Sequence, residues 1–136
     1  MFSLFTHRYA SFRPGSGVPV RITLGAPRHK LPYTLTHQIA EAAPTREYFG
    51  RPQGEFAAAY RAQLDRLGVG FFARRFEEIS GQGQDPRLVL LCFEDLGQQG
   101  QWCHRRMFAQ WWEERTGVGV RELGAVCPSY EQGELL

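Results

Sequence analysis

The stretch LVLLCFEDLGQQGQWCHRRMFAQWW, Leu88 to Trp112, decides how the chain reads. Its first six residues are a near-continuous apolar run, the pattern of a strand covered on both faces of a sheet. Glu94 and Asp95 follow, then a loop of Gly and Gln. Cys103, His104, Arg105 and Arg106 then open a segment with helical apolar spacing, 102–116, which Gly117 ends. A buried strand leading through a loop into a helix is one half of a β-α-β unit. In such sheets ligands bind at the carboxyl ends of the strands. Glu94, Asp95 and the loop before Cys103 fall at such an end.

Working outward, residues 2–6 and 18–24 (VPVRITL) read as strands, with Pro19 near a strand start, where proline is tolerated. Residues 118–123 read as the last strand. Phe56, Tyr60, Leu64 and Leu67 recur at helical spacing over 54–67, and Gly68 is a natural stop. Phe72, Phe76 and Ile79 share one face of a second helix over 72–80. Residues 25–52 contain four prolines (27, 32, 44 and 52) and predict only a short helix over 36–42. That stretch reads as an active-site loop or an insertion. The expected architecture is a Rossmann-like α/β fold, a mostly parallel central sheet of about four or five strands flanked by helices. Residues 1–123 form one domain and 124–136 a surface tail.

Composition agrees. The chain has 136 residues, 43% apolar and 22% charged, which suits a globular domain with its own core and argues against disorder. No apolar run approaches the roughly 20 residues needed to span a bilayer, so no membrane role is expected. The N-terminus lacks the basic and long apolar regions of a secretory signal. Cys92, Cys103 and Cys127 make an odd number and no dense disulfide framework, which points to a reducing cytoplasm. The net charge of +2 is too small to imply nucleic acid by itself.

A helical wheel places the chemistry of the 102–116 segment. With Cys103 at zero and about 100° per residue, Met107 falls near 40°, Trp111 near 80°, Phe108 near 140° and Trp112 near 180°. His104, near 100°, lies inside this apolar arc, while Arg105 and Arg106, at about 200° and 300°, lie outside it. An inward imidazole needs a hydrogen-bond partner, and Glu94 and Asp95 are the candidates. His104 is then either a core histidine tying helix to strand or a general acid/base poised by a carboxylate. Cys103 sits where helix amides favour a thiolate, so it is either a nucleophile or a small residue fitting the turn. Cys92 reads as a buried hydrophobe. The ten residues between Cys92 and Cys103 match no compact zinc pattern, and adjacent Cys and His side chains diverge by about 100° on a helix, so no metal is expected. No G-x-G-x-x-G follows a strand, so no dinucleotide cofactor is expected either. Arg105 beside the helix start, with Arg21 on the second strand and Arg28 just after it, would make an anion site.

The elements LLCFE (90–94) and CHRR (103–106), on a helix that ends before VRELG (120–124), resemble the family called domain of unknown function 488. VPVRITLGAP (18–27) is similar to that family's early Arg-bearing strand, and the Tyr60 helix with Gly68 behind it has the corresponding place. The resemblance runs from about residue 2 to residue 123. It implies a Rossmann-like fold and functional positions at Arg21, Cys92, Glu94, Cys103, His104 and Arg105. Many relatives carry an acidic residue before the Val-Arg pair, where this chain has Pro19.

Three functions fit these residues. The first is a small cytoplasmic enzyme acting on a phosphorylated or nucleotide-like substrate. In it Cys103, His104 and Glu94 are catalytic, Arg21, Arg28 and Arg105 hold the anion, and Cys92, Asp95 and Tyr60 are further candidates. The alternative is a non-catalytic nucleotide or nucleic-acid binding module, with Trp111, Trp112, Phe71 or Tyr48 stacking on bases. The third is a buried polar lock between strand and helix.

Overall fold

In a computed structural model of the chain, residues 1–94, 96 and 100–123 are described. Asp95, among the site candidates, and the 124–136 tail with Cys127 lie outside them. Five strands form one sheet: β1 (Ser3–Arg8), β2 (Val18–Arg21), β3 (His37–Gln38), β4 (Arg87–Cys92) and β5 (Arg121–Glu122), in the order β3-β2-β4-β1-β5. Every pairing is parallel. The α/β class and the strand count follow the sequence expectation. Among the described residues no helix is long and apolar enough to cross a membrane.

β4 lies between β2 and β1, in register from Val18↔Leu88 to Arg21↔Leu91 on one side and from Ser3↔Arg87 to Arg8↔Cys92 on the other. Residues 88–92 are all buried, as the apolar run predicts for a central strand. Side chains alternate across a strand. Leu88 and Leu90 therefore face the core shared with the helices α1 (Gln53–Leu67), α2 (Val69–Gly83) and α3 (His104–Thr116). Val89 and Leu91 face a smaller core closed by Tyr9, Phe12 and the partly buried Leu31, Tyr33 and Leu35. One face is thus covered by helices and the other by loops. Gly17 stands where β2 enters beside β4: its φ is +138°, and a Cβ there would meet the Arg87 carbonyl oxygen at 2.6 Å.

On the helix face Phe72, Phe76, Phe108, Trp111 and Trp112 pack ring against ring, with Phe108 edge-on to Phe72 at 5.2 Å. Burying each such ring stabilises the fold by about 1.5–3 kcal/mol. Two expectations change. The short helix over 36–42 is instead the edge strand β3 followed by a single 3-10 turn, Ala40–Ala42. β3 pairs Val20↔His37 and Arg21↔Gln38 with β2, an open edge that a two-residue strand can occupy without apolar alternation. The second strand stops at Arg21, because the chain turns away after Ile22 and Thr23.

The loop that follows β3 is held to α1 by polar groups. Tyr60, fully buried, donates its hydroxyl to the Ala42 carbonyl at 2.5 Å. Gln63 donates to the carbonyls of Glu41 and Ala43 at 3.0 and 2.7 Å and accepts from the Tyr48 hydroxyl.

Candidate functional site

At the carboxyl end of the sheet β2 leads outward to β3, while β4 leads the other way, through α3, to β5. The crevice expected between strands that diverge in this way lies beside β4. Cys92 ends β4 on the helix face, and its sulfur is bonded to that of Cys103. Glu94 Oε1 lies 3.2 Å from the Cys92 sulfur, and His104 Nδ1 lies 3.5 Å from it. Ligand atoms of Cys92, Cys103 and His104 all lie within 4.8 Å of one another, and the three residues are buried.

The wheel misjudged Cys103. Its φ of −148° and ψ of 142° are extended, and it is the N-cap of α3 rather than a helical residue. The divergence of about 100° between neighbours on a helix therefore does not separate it from His104. The extended residue turns its thiol back toward β4, which gathers three groups that sequence spacing held apart.

His104 is the first helical residue and points inward, as expected. Its partner is not a carboxylate. Nε2 lies 2.5 Å from the Ile22 carbonyl, an acceptor only, so Nε2 carries the proton and Nδ1 turns its lone pair toward the sulfurs. Burial, partly offset by that backbone hydrogen bond, lowers the imidazole to about 4, so it is neutral at ordinary pH. Tyr60 stands edge-on to the imidazole at 5.5 Å and fixes the ring plane; its own phenol is driven well above the usual range by burial. Tyr60 is a positioning residue here, since its hydroxyl is committed to Ala42.

The arginines do not converge. Arg105 is fully buried. It donates from Nε and Nη2 to the Glu122 carboxylate at 3.0 and 2.9 Å and from Nη1 to the Glu94 carbonyl at 3.0 Å. This fork holds α3 to β5 and to the segment after β4, and it leaves the guanidinium no face for a ligand. The wheel set Arg105 outside the arc because it counted Met107 as core and ignored Ala109. Ala109 is fully buried and Met107 only partly so, which turns the buried arc toward Arg105. Arg106 reaches Thr6 Oγ1 and the Val120 carbonyl. Arg21 belongs to the opposite face of the sheet, since Val20 and Ile22 on either side of it face the helices. Its guanidinium donates to the Thr23 and Leu24 carbonyls. Arg28 is exposed in the loop beyond.

A cavity of about 350 Å³ opens over the cluster, lined by Cys103, His104, Glu94, Arg51 and the rings of Phe49, Phe56 and Trp102, among others. Phe56 touches Trp102 edge-on at 5.1 Å, making an aromatic wall. The cation at this cavity is Arg51, paired loosely with Glu55 at 3.5 Å. Arg51, Phe49 and Trp102 escaped the sequence reading. The first two lie in the 25–52 stretch that carried no periodic signal. Glu122 also escaped, although the VRELG element that contains it was in view. Three of the four rings expected to stack on bases are core residues instead. Trp111, Trp112 and Tyr48 are buried in the core, at 1%, 4% and 7% exposure, and Phe71 packs against it.

No family model, curated protein or solved structure matches the chain.

Proposed function

We propose that the chain is a small enzyme of the domain of unknown function 488 family. It acts on a nucleotide-like substrate in the cavity over β4 and works in a reducing cytoplasm. The observation that carries this reading is the cavity's lining. Among the described residues, Cys103, His104 and Glu94 share the lining with three aromatic rings and one arginine. Rings suit the flat face of a base, and a guanidinium suits a phosphate. Arg51 takes the role first assigned to Arg21, Arg28 and Arg105.

The division of labour follows from the hydrogen bonds. His104 is fixed in one tautomer by Ile22 and accepts a proton only at Nδ1, inside the cluster. Glu94 is half-buried and reaches both the cluster and the cavity, so it carries protons between them. The test is binding of nucleoside monophosphates to the reduced protein, followed by thermal shift and by ligand-observed NMR. A nucleotide at 100 times its dissociation constant raises stability by about 2.7 kcal/mol. Arg51→Ala should weaken binding of the monophosphate and leave that of the bare nucleoside unchanged. A wild-type protein that ignores every nucleoside and nucleotide offered would end this reading.

A further inference from the structure

We propose that, once its disulfide is reduced, the Cys92, Cys103 and His104 cluster binds a single soft divalent cation of the zinc type, with Glu94 beside it. Three independent features meet here. The donor set is two sulfurs and one imidazole nitrogen, with ligand atoms within 4.8 Å of one another, so that small movements, once the S–S bond opens, reach the roughly 3.5–3.8 Å between ligands of one tetrahedral ion. The imidazole is already set for coordination. Nε2 is tied to the Ile22 carbonyl at 2.5 Å, so the free lone pair of Nδ1 faces the sulfurs. A histidine ligand whose other nitrogen is held by a carbonyl is the usual outer support of a metal site. Finally, Cys103 and His104 line the cavity while Cys92, bonded to Cys103, is buried beside them, so three protein ligands leave a fourth position toward the ligand space. Open three-ligand sites are the catalytic kind. Such an ion would polarise a water beside Glu94.

The inference rests on reading this cavity as the active centre, and it changes two roles there: Cys103 holds the ion rather than attacking the substrate, and His104 Nδ1 ligates the ion rather than accepting a proton. Metal and disulfide exclude each other. A phosphine reductant supplies two electrons to the Cys92–Cys103 bond and becomes the phosphine oxide, taking its oxygen from water, and two thiols result. Binding of the ion then displaces one proton from each thiol. The imidazole is already neutral and releases none.

The test uses the full chain, reduced with a phosphine and freed of metal, and titrated with cobalt(II) as a spectroscopic stand-in for zinc. The expected result is one equivalent of cobalt per chain, with thiolate-to-cobalt charge-transfer absorption and the intense visible bands of a tetrahedral site. Zinc should displace the cobalt and bleach both. The oxidised protein, which needs no mutation and keeps its fold, should show neither band until it is reduced. Cys103→Ser and Cys92→Ser should each lower the charge-transfer intensity and weaken cobalt at least tenfold. Cys127→Ser should leave the spectrum unchanged. Absence of charge-transfer absorption in the reduced wild type overturns the proposal, and so does a spectrum that survives in the Cys92→Ser/Cys103→Ser double variant. Nucleotide binding is read separately on the same samples. Cobalt bound with no nucleotide response sinks the functional reading alone; nucleotide bound by reduced protein that refuses cobalt sinks the metal alone.

Discussion

The carboxyl edge of the sheet carries a depression on each face, and the two are built in opposite ways. The one on the helix face is small, about 350 Å³, and its groups come from distant parts of the chain: Arg51 before α1, Phe56 on α1, Glu94 after β4, and Cys103 and His104 at the start of α3. The one on the loop face is larger, about 750 Å³, yet apart from Arg21 it is lined only by residues of the 26–38 stretch. Arg21 there bonds to carbonyls two and three residues along its own chain. A local loop can make a hollow at little conformational cost. Bringing a pair of sulfurs, an imidazole and a carboxylate together from separate elements requires the whole fold, and the helix-face core supplies it. The proposed site is therefore chosen by convergence of distant groups and not by size.

The contrast is broken most sharply by removing one arginine from each face. Arg105→Ala leaves Glu122, whose side chain is 8% exposed, as a buried carboxylate without its bidentate partner. Loss of one member of a buried pair costs about 3–5 kcal/mol. Arg21→Ala removes two hydrogen bonds from a partly exposed side chain and should cost about 1 kcal/mol. Urea unfolding of both variants measures the difference. Equal costs would mean that the Arg105 fork is no more structural than Arg21, and its use as a ligand group would return to consideration.

A smaller effect comes from the same atom deleted on each face. Tyr60→Phe removes the donor to the Ala42 carbonyl in the helix-face core and should cost about 1–3 kcal/mol, the range for a buried group left unsatisfied. It should also loosen the His104 ring, which Tyr60 meets edge-on. Tyr33→Phe removes the bond from a partly exposed hydroxyl to the Tyr9 carbonyl, and about 0.5–1.5 kcal/mol is expected. Thermal unfolding in parallel with the imidazole NMR signals of His104 checks both. A larger loss for Tyr33 would place the rigid scaffold on the loop face instead.

These differences also explain what the sequence made legible. Periodicity found α1, α2, α3 and the long strands because each buries a repeating set of side chains, as Phe72, Phe76 and Ile79 do on α2. It missed β3 because a two-residue edge strand repeats nothing. At the candidate site, the carboxyl-edge rule and the Cys-His-Arg cluster expected Glu94, Cys103 and His104 near one another, and they do lie together around the Cys92 sulfur, since each lies within a few residues of an element end. What failed was side-chain direction. Whether Arg105 faces Glu122 or solvent depends on how α3 rolls against β5, and whether Cys103 is helical or a cap moves its thiol by a large angle. Both are settled by tertiary packing. Arg51 was invisible for another reason: it stands in a proline-broken loop whose course is fixed by Gln63 and Tyr60, residues that are remote in sequence.

The smallest effect belongs to a histidine that lines neither cavity. His7, on β1, is 8% exposed, and its Nδ1 has no hydrogen-bond partner among the described residues. Its pKa is lowered, first by burial. Glu122 raises it, Arg105 and Arg8 lower it, and a hydrogen bond donated to the Ser11 backbone raises it. A folded pKa below the unfolded value of about 6.5 means that the unfolded chain binds the proton more readily. Stability is therefore full above about pH 6.5 and declines as the pH falls toward the folded pKa, with a slope from this one group of no more than about 1.4 kcal/mol per pH unit. His7→Gln removes the titration, so the wild type should lose more stability than the variant between about pH 7 and pH 5. Denaturant midpoints at a series of pH values read this directly. If the two proteins lose stability in parallel, His7 keeps an ordinary pKa and the charged groups around it, Glu122, Arg105 and Arg8, are wetter than their packing implies. If the variant loses more, the carboxylate of Glu122 outweighs burial, and the polar end of β1 belongs with the Arg105–Glu122 fork rather than apart from it.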